Sequence, residues 1–193
     1  MTIKKIIVTS LTAIMALAVT LPANAASGQG YTVKEGDSLY KIGTKYGASV
    51  VDIKQASGKT DNNINPGEQL TIPVTVTEAE KDVLARLVEA EAKGEPYGGK
   101  VAVAAVVLNR VDSDLFPDSI KGVIYDGYQF SPVLNGTINQ PASEESKKAV
   151  NEAIAHHGLG YGSLFFFNPD KANNAYLNQR EVTNVIGNHV FAR

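Results

Sequence analysis

The sequence predicts an α+β chain with two folded units: a small strand–helix–helix–strand module, then a mainly helical unit closed by a small antiparallel sheet. Three observations predict it. Short strand-like runs bracket two helical patterns between residues 31 and 73. Two apolar helical patterns follow, the first opened by a capping signal at Thr77. Aromatic and β-branched runs then cluster near the C-terminal end, separated by Gly, Asn and Pro.

The 193 residues leave room for one ordinary domain and a small one, and a hydrophobic fraction of 44% with 20% charged residues is that of a globular chain. The net charge of −2 carries no basic excess, so nucleic acid is not an expected partner. There are no cysteines, which excludes disulfides, thiolate metal sites and cysteine nucleophiles. Of the three histidines, His156 and His157 are adjacent and point apart on a helix; Asp112, Asp114 and Asp118 read as loop acids. No metal and no cofactor is expected.

Residues 1–25 read as a secretory signal. Lys4 and Lys5 precede an uncharged apolar run, Pro22 breaks it, and Ala23-Asn24-Ala25 is a small-x-small cleavage pattern. The alternative is an uncleaved anchor, but the run is short for a span of about 20 residues. Cleavage would remove two lysines and no acid, leaving 16 basic against 20 acidic residues, a net −4. Such a chain has no general attraction to an anionic surface, and no membrane contact is expected once the signal is gone.

The module comes next, within residues 26–76. Tyr31-Thr32-Val33 alternates as a strand, and Lys34-Glu35-Gly36-Asp37 is a turn. Asp37 or Ser38 caps a helix starting at Leu39, whose Leu39, Ile42 and Tyr46 share a face, with Gly47 in the C′ place. Ser49 opens a second helix. Asn65-Pro66-Gly67-Glu68 turns into the strand Gln69-Leu70-Thr71-Ile72, and Pro73 stops it. These residues resemble the LysM family across the whole module, with Ser57 where the family usually has asparagine. The resemblance implies binding to glycans that contain N-acetylglucosamine, chiefly peptidoglycan.

Residues 77–193 should carry the chemistry. Thr77 and Glu80 form a capping box. At about 100° per residue from Val83, the residues Leu84, Leu87 and Val88 lie at about 100°, 40° and 140°. Glu91 falls at about 80°, central to that apolar stripe, and Glu89 at about 240°, where solvent is expected. A carboxyl held in an apolar setting has a raised pKa, as a glycosidase acid requires. The alternative is a structural Glu91 paired to an arginine such as Arg110, or capping a neighbouring helix. Gly94 and Pro96 end the helix. Glu95 is a further candidate, or an N-terminal acid for the next helix.

A core helix is predicted over 99–111, apolar nearly all round; Asn109 and Arg110 at its end reach a cleft or cap the helix. A polar loop and a short helix over 119–125 follow. Tyr128, Gln129, Phe130 and Ser131 interleave aromatic and polar groups in a loop, the composition of a sugar-binding rim or of ordinary surface packing. A helix spans 143–158. Residues 163–167 form an aromatic strand, Asn168-Pro169-Asp170 turns it, and 181–186 with 189–191 close the sheet. His189 is expected to make a structural hydrogen bond.

Together these residues resemble the cell-wall hydrolase family that includes the spore cortex-lytic enzymes. The match runs from Leu84-Ala85-Arg86 through Glu91-Ala92-Lys93-Gly94-Glu95-Pro96-Tyr97-Gly98-Gly99 to Asn109-Arg110. It continues in Phe116-Pro117-Asp118-Ser119-Ile120, Val123-Ile124-Tyr125, Gln129-Phe130-Ser131, Phe166-Phe167-Asn168-Pro169 and Ile186-Gly187-Asn188-His189-Val190-Phe191. The family implies a lysozyme-like α+β catalytic domain with one essential glutamate, Glu91 here. It implies cleavage between N-acetylmuramic acid and N-acetylglucosamine, in some members as a lytic transglycosylase. Expected substrate contacts are Glu95, Tyr97, Asn109, Tyr128, Gln129, Phe130, Ser131, Asn168 and Tyr176, the last in an aromatic position where tryptophan is common. A hydrolytic muramidase or glucosaminidase with a second carboxylate, and a non-catalytic wall-binding protein, stay open. An amidase or endopeptidase would need a cysteine, zinc triad or Gly-x-Ser-x-Gly elbow that the chain lacks. The expected location is outside the cell, in a wall such as the spore cortex.

Overall fold

A computed structural model describes residues 28–159, 162–171 and 175–193. The signal sequence expected over 1–25 lies outside the described residues. Among the described residues no helix is long and apolar enough to cross a membrane.

The first unit is the predicted strand, two helices and strand. β1 (Gln29–Thr32) pairs antiparallel with β2 (Gln69–Ile72), with Tyr31 opposite Leu70. α1 (Leu39–Tyr46) and α2 (Val50–Ala56) cover it, and Tyr31, Val33, Leu39, Ile42, Ile53, Leu70 and Ile72 form its own core. Ser38 caps α1 by accepting the Lys41 N–H, and Gly47 ends it at φ 60°, a left-handed turn that favours glycine. Asp37, the other candidate cap, is instead bound by the Lys34 N–H and the Tyr31 hydroxyl, which hold its carboxyl below the usual range.

The second unit is mainly helical. α3 (Glu78–Glu91) starts at the Thr77 capping box as expected. α4 (Tyr97–Val111) starts two residues before its predicted beginning, with Pro96 before its first turn. α5 (Ile120–Tyr125) is capped by Ser119, α6 (Ser131–Leu134) and a 3₁₀ turn (Thr137–Asn139) follow, and α7 (Glu144–His156) is capped by Ser143. α4 packs against α3, α5 and α7. Its β-branched residues disfavour an isolated helix, so burial of Val103, Val106 and Val107 holds it. Leu84 and Leu87 of α3 are fully buried, each contributing about 1.5–3 kcal/mol. β3 (Phe165–Phe167), β4 (Val182–Ile186) and β5 (His189–Ala192) make an antiparallel sheet of order β3-β5-β4. A short α8 (Ala175–Asn178) lies between β3 and β4.

The two units touch directly. α1 lies on α7, and a Cβ at Gly43 would sit 2.6 Å from the Ala48 carbonyl oxygen and 3.1 Å from the Ala155 Cβ. The glycine thus permits the approach. The Tyr40 and His156 rings meet at 4.8 Å, the Ser49 hydroxyl donates to the His157 carbonyl, and Lys81 donates to the Tyr46 carbonyl.

Candidate active site

Glu91 is the last residue of α3. The stripe that buries Leu84, Leu87 and Val88 also turns Glu91 inward, and Gly94, at φ 87°, reverses the chain just beyond it. The carboxyl is half-buried in a cleft of about 540 Å³ walled by α3, α4, α6, the loop before α6 and the sheet. Burial pushes its pKa up, and the Ser131 hydroxyl and N–H pull it down; burial is the larger effect. Among the described residues Glu91 makes no ion pair, and it is the one carboxylate lining the cleft.

The pairing of Glu91 with Arg110 left open by the sequence is not formed. Arg110 is 6% exposed and spends its guanidinium elsewhere: Nε donates to the Leu164 carbonyl at 2.7 Å, and Nη1 donates to Gln129 Oε1 at 2.9 Å. The rings of Phe116, Phe130 and Phe165 surround it at 4.7–5.8 Å. Burial lowers its pKa to about 10, so it stays charged at neutral pH. Gln129 Nε2 in turn donates to Asp126. The loop that carries Ser131 to Glu91 is thereby tied to the end of α4 and to the residue before β3.

Five of the expected contacts share the cleft with Glu91: Tyr128, Gln129, Phe130, Ser131 and Asn168. Tyr128 is 86% exposed at the rim; Phe130 is buried and stacks on Phe166 at 6.4 Å. Asn168 Oδ1 accepts the Asp170 N–H and shapes the turn after β3.

The other four are not among the cleft's lining residues. Tyr97 donates its hydroxyl to Glu152 of α7 at 2.7 Å, and Asn109 donates to the Ser163 carbonyl. Glu95 accepts both the backbone N–H and the side-chain amide of Asn188, clasping the β4–β5 turn. A Cβ on Gly187 in that turn would lie 2.1 Å from a Glu95 oxygen, so only glycine fits the clasp. Tyr176 stands on α8, edge-on to Phe165 and under the Arg180 guanidinium, next to the cleft-lining Leu177. Each of the first three finds a partner distant in sequence, which no local pattern encodes.

Glu89 differs from its expected solvated state. It is half-buried, and Ser143 and Ser146 at the start of α7 donate to it, holding its pKa low. The face opposite the α3 core meets another helix end, not water.

The cleft also contains residues not expected to touch substrate: Leu134, Phe166, Phe167, Lys171, Leu177 and His189. His189 is 7% exposed on the central strand β5, with burial lowering its pKa, so the ring is neutral at neutral pH. The structural hydrogen bond expected of it is missing at Nδ1, which is buried with no partner among the described residues. Its period-two alternation with buried Phe191 was the available signal. Among the described residues no three His, Asp or Glu side chains group as a metal site.

Comparison with known proteins places the chain in a family. The cell wall hydrolase family model matches residues 94–192, just over half of the chain, and the LysM domain model matches residues 31–73. A spore cortex-lytic enzyme of Halalkalibacterium halodurans is 35% identical over 138 residues, covering 72% of this chain and 42% of that protein. The enzyme of that name from Bacillus subtilis is 42% identical over 109 residues, covering 56% of this chain and 36% of that protein. The chain thus spans half or less of the length of these curated relatives. The solved catalytic domain of the germination-specific lytic transglycosylase SleB from Bacillus anthracis is 38% identical, with a TM-score of 0.57. The match covers 63% of this chain and all of that one. The catalytic domain of the Bacillus cereus SleB protein matches with the same identity and TM-score, and 94% of it is covered. In sequence and in fold, this chain belongs to the cell wall hydrolase family.

Proposed function

We propose that the chain cleaves peptidoglycan glycan strands between N-acetylmuramic acid and N-acetylglucosamine as a lytic transglycosylase, with Glu91 as its one acid/base. The observation that carries this reading is a lone, half-buried carboxyl in an aromatic-walled cleft, its pKa raised by burial. Protonated Glu91 gives its proton to the glycosidic oxygen as the bond to muramic acid C1 breaks. The resulting carboxylate then takes the proton of the muramic acid C6 hydroxyl, whose oxygen bonds to C1. The product is a 1,6-anhydro end, Glu91 is protonated again, and no water is consumed. A two-carboxylate hydrolase needs a second acid at a set separation across the sugar, and no described lining residue supplies one. Tyr128, Phe130 and Phe166 offer apolar faces to the sugars.

Residues 1–25 direct export in this reading, and the module within 26–76 retains the net-acidic mature chain on the wall. The expected products are anhydromuramic ends by mass spectrometry; exclusively reducing muramic ends would replace transglycosylation by hydrolysis. The module has its own core, so a fragment of residues 26–76 should sediment with insoluble peptidoglycan. A fragment that stays in the supernatant would remove the binding role.

A further inference from the structure

A second groove, of about 510 Å³, runs from the Glu91 cleft along the other side of α6. The two share Ala90 and Ser131 as lining residues, so they meet beside the catalytic carboxyl. Their chemistry differs. The cleft is walled by aromatic rings; the second groove has no aromatic lining residue among those described, and presents Arg86, Lys93, Asn135 and Gln140. Stacking faces suit sugars, whereas amides and cations suit a peptide with carboxylates.

The cations are available. Lys93 is exposed and makes no hydrogen bond or ion pair among the described residues. Arg86 pairs with Asp82 through Nη2 alone, which leaves its Nη1 without a partner among the described residues. The acid that lines the groove, Glu89, is held by Ser143 and Ser146. The Asn135 Oδ1 is taken by Thr137, while the Gln140 side chain has no partner among the described residues.

Resting on the glycan-cleaving reading above, we propose that this second groove binds the peptide stem of the substrate, with Lys93 and Arg86 taking stem carboxylates and Gln140 bonding its backbone. The connectivity of the substrate supports it. The stem is attached through the lactyl ether of muramic acid, one of the two sugars flanking the scissile bond. A stem must therefore leave the cleft close to Glu91, where the two grooves join.

The test compares glycan strands with free stem carboxylates and the same strands with those carboxylates converted to amides, using the full chain. The wild-type KM should be roughly tenfold lower for the free-carboxylate strands, the scale of one charge-assisted hydrogen bond. Lys93→Glu should bring that ratio to one or invert it, and Lys93→Arg should keep it. High salt should shrink the wild-type ratio. Lys93 lies exposed in the last turn's wake of α3, so neither substitution threatens the fold. A wild-type ratio of one, with cleavage of both strands, overturns the stem groove and leaves the glycan-cleaving reading intact. Cleavage of neither strand by the wild-type chain overturns the glycan-cleaving reading, and the stem groove with it.

Discussion

Glu91→Gln is expected to lower glycan cleavage at least about 100-fold while leaving wall binding unchanged. The amide keeps the shape and removes the proton that the leaving oxygen needs. Retention of a tenth or more of the wild-type rate would sink the role of Glu91. The same variant should also be the more stable protein near neutral pH. Burial raises the folded pKa of Glu91 above its unfolded value, so the folded state prefers the neutral acid. That preference favours the fold fully below the ordinary glutamate pKa of about 4.3, and its benefit is lost as pH rises through the raised folded value. Glutamine is neutral throughout. Thermal melts should therefore show the variant ahead at neutral pH and level with the wild type in acid. The catalytic rate should fall over the same rise in pH, because only the protonated acid starts the reaction.

Arg110→Ala should have the largest effect on stability among changes at the cleft wall. It empties the space between Phe116, Phe130 and Phe165 and leaves the Leu164 carbonyl and Gln129 Oε1 without their donor. A loss of about 3 kcal/mol is expected from the two bonds and the packing together. That corresponds to a fall in Tm of roughly 6–12 °C for a chain of this size. Arg110→Lys should recover little, since an ammonium cannot donate in two fixed directions and stack on rings at once. Cleavage should fall with it, because the loop bearing Ser131 loses its anchor. A Tm within about 2 °C of the wild type would show that the aromatic setting holds without the guanidinium.

Most of the elements were legible in the sequence because their signals are local. Ser38, Ser49, Thr77, Ser119 and Ser143 each cap the helix they were expected to open or adjoin. Glu91 was legible because helical periodicity carries it from the buried stripe of α3 to the cleft. The short α6, α8 and 3₁₀ turn were not, since three or four residues hold only about one period, too little for a hydrophobic pattern to repeat. The lining of the cleft was legible where it is one continuous stretch, residues 128–131. It was not where chain-distant groups compete for a side chain: Glu152 takes Tyr97, Ser163 takes Asn109, and Asn188 takes Glu95. His189 is the converse case, a ring brought to the cleft by strand pairing between β3, β4 and β5.

The close approach at Gly43 has a consequence for how the chain would meet a polymer. Two modules on a slack tether sample many separations, and their joint grip depends on an effective concentration set by linker length. Here α1 is packed on α7, so the small unit is joined to the unit that bears the Glu91 cleft through a packed face as well as through the linker. On the glycan-cleaving reading proposed above, a strand held by both would meet the cleft at a spacing that this packing sets. The glycine at that seat, where a Cβ would press on Ala155, would then help to set that spacing.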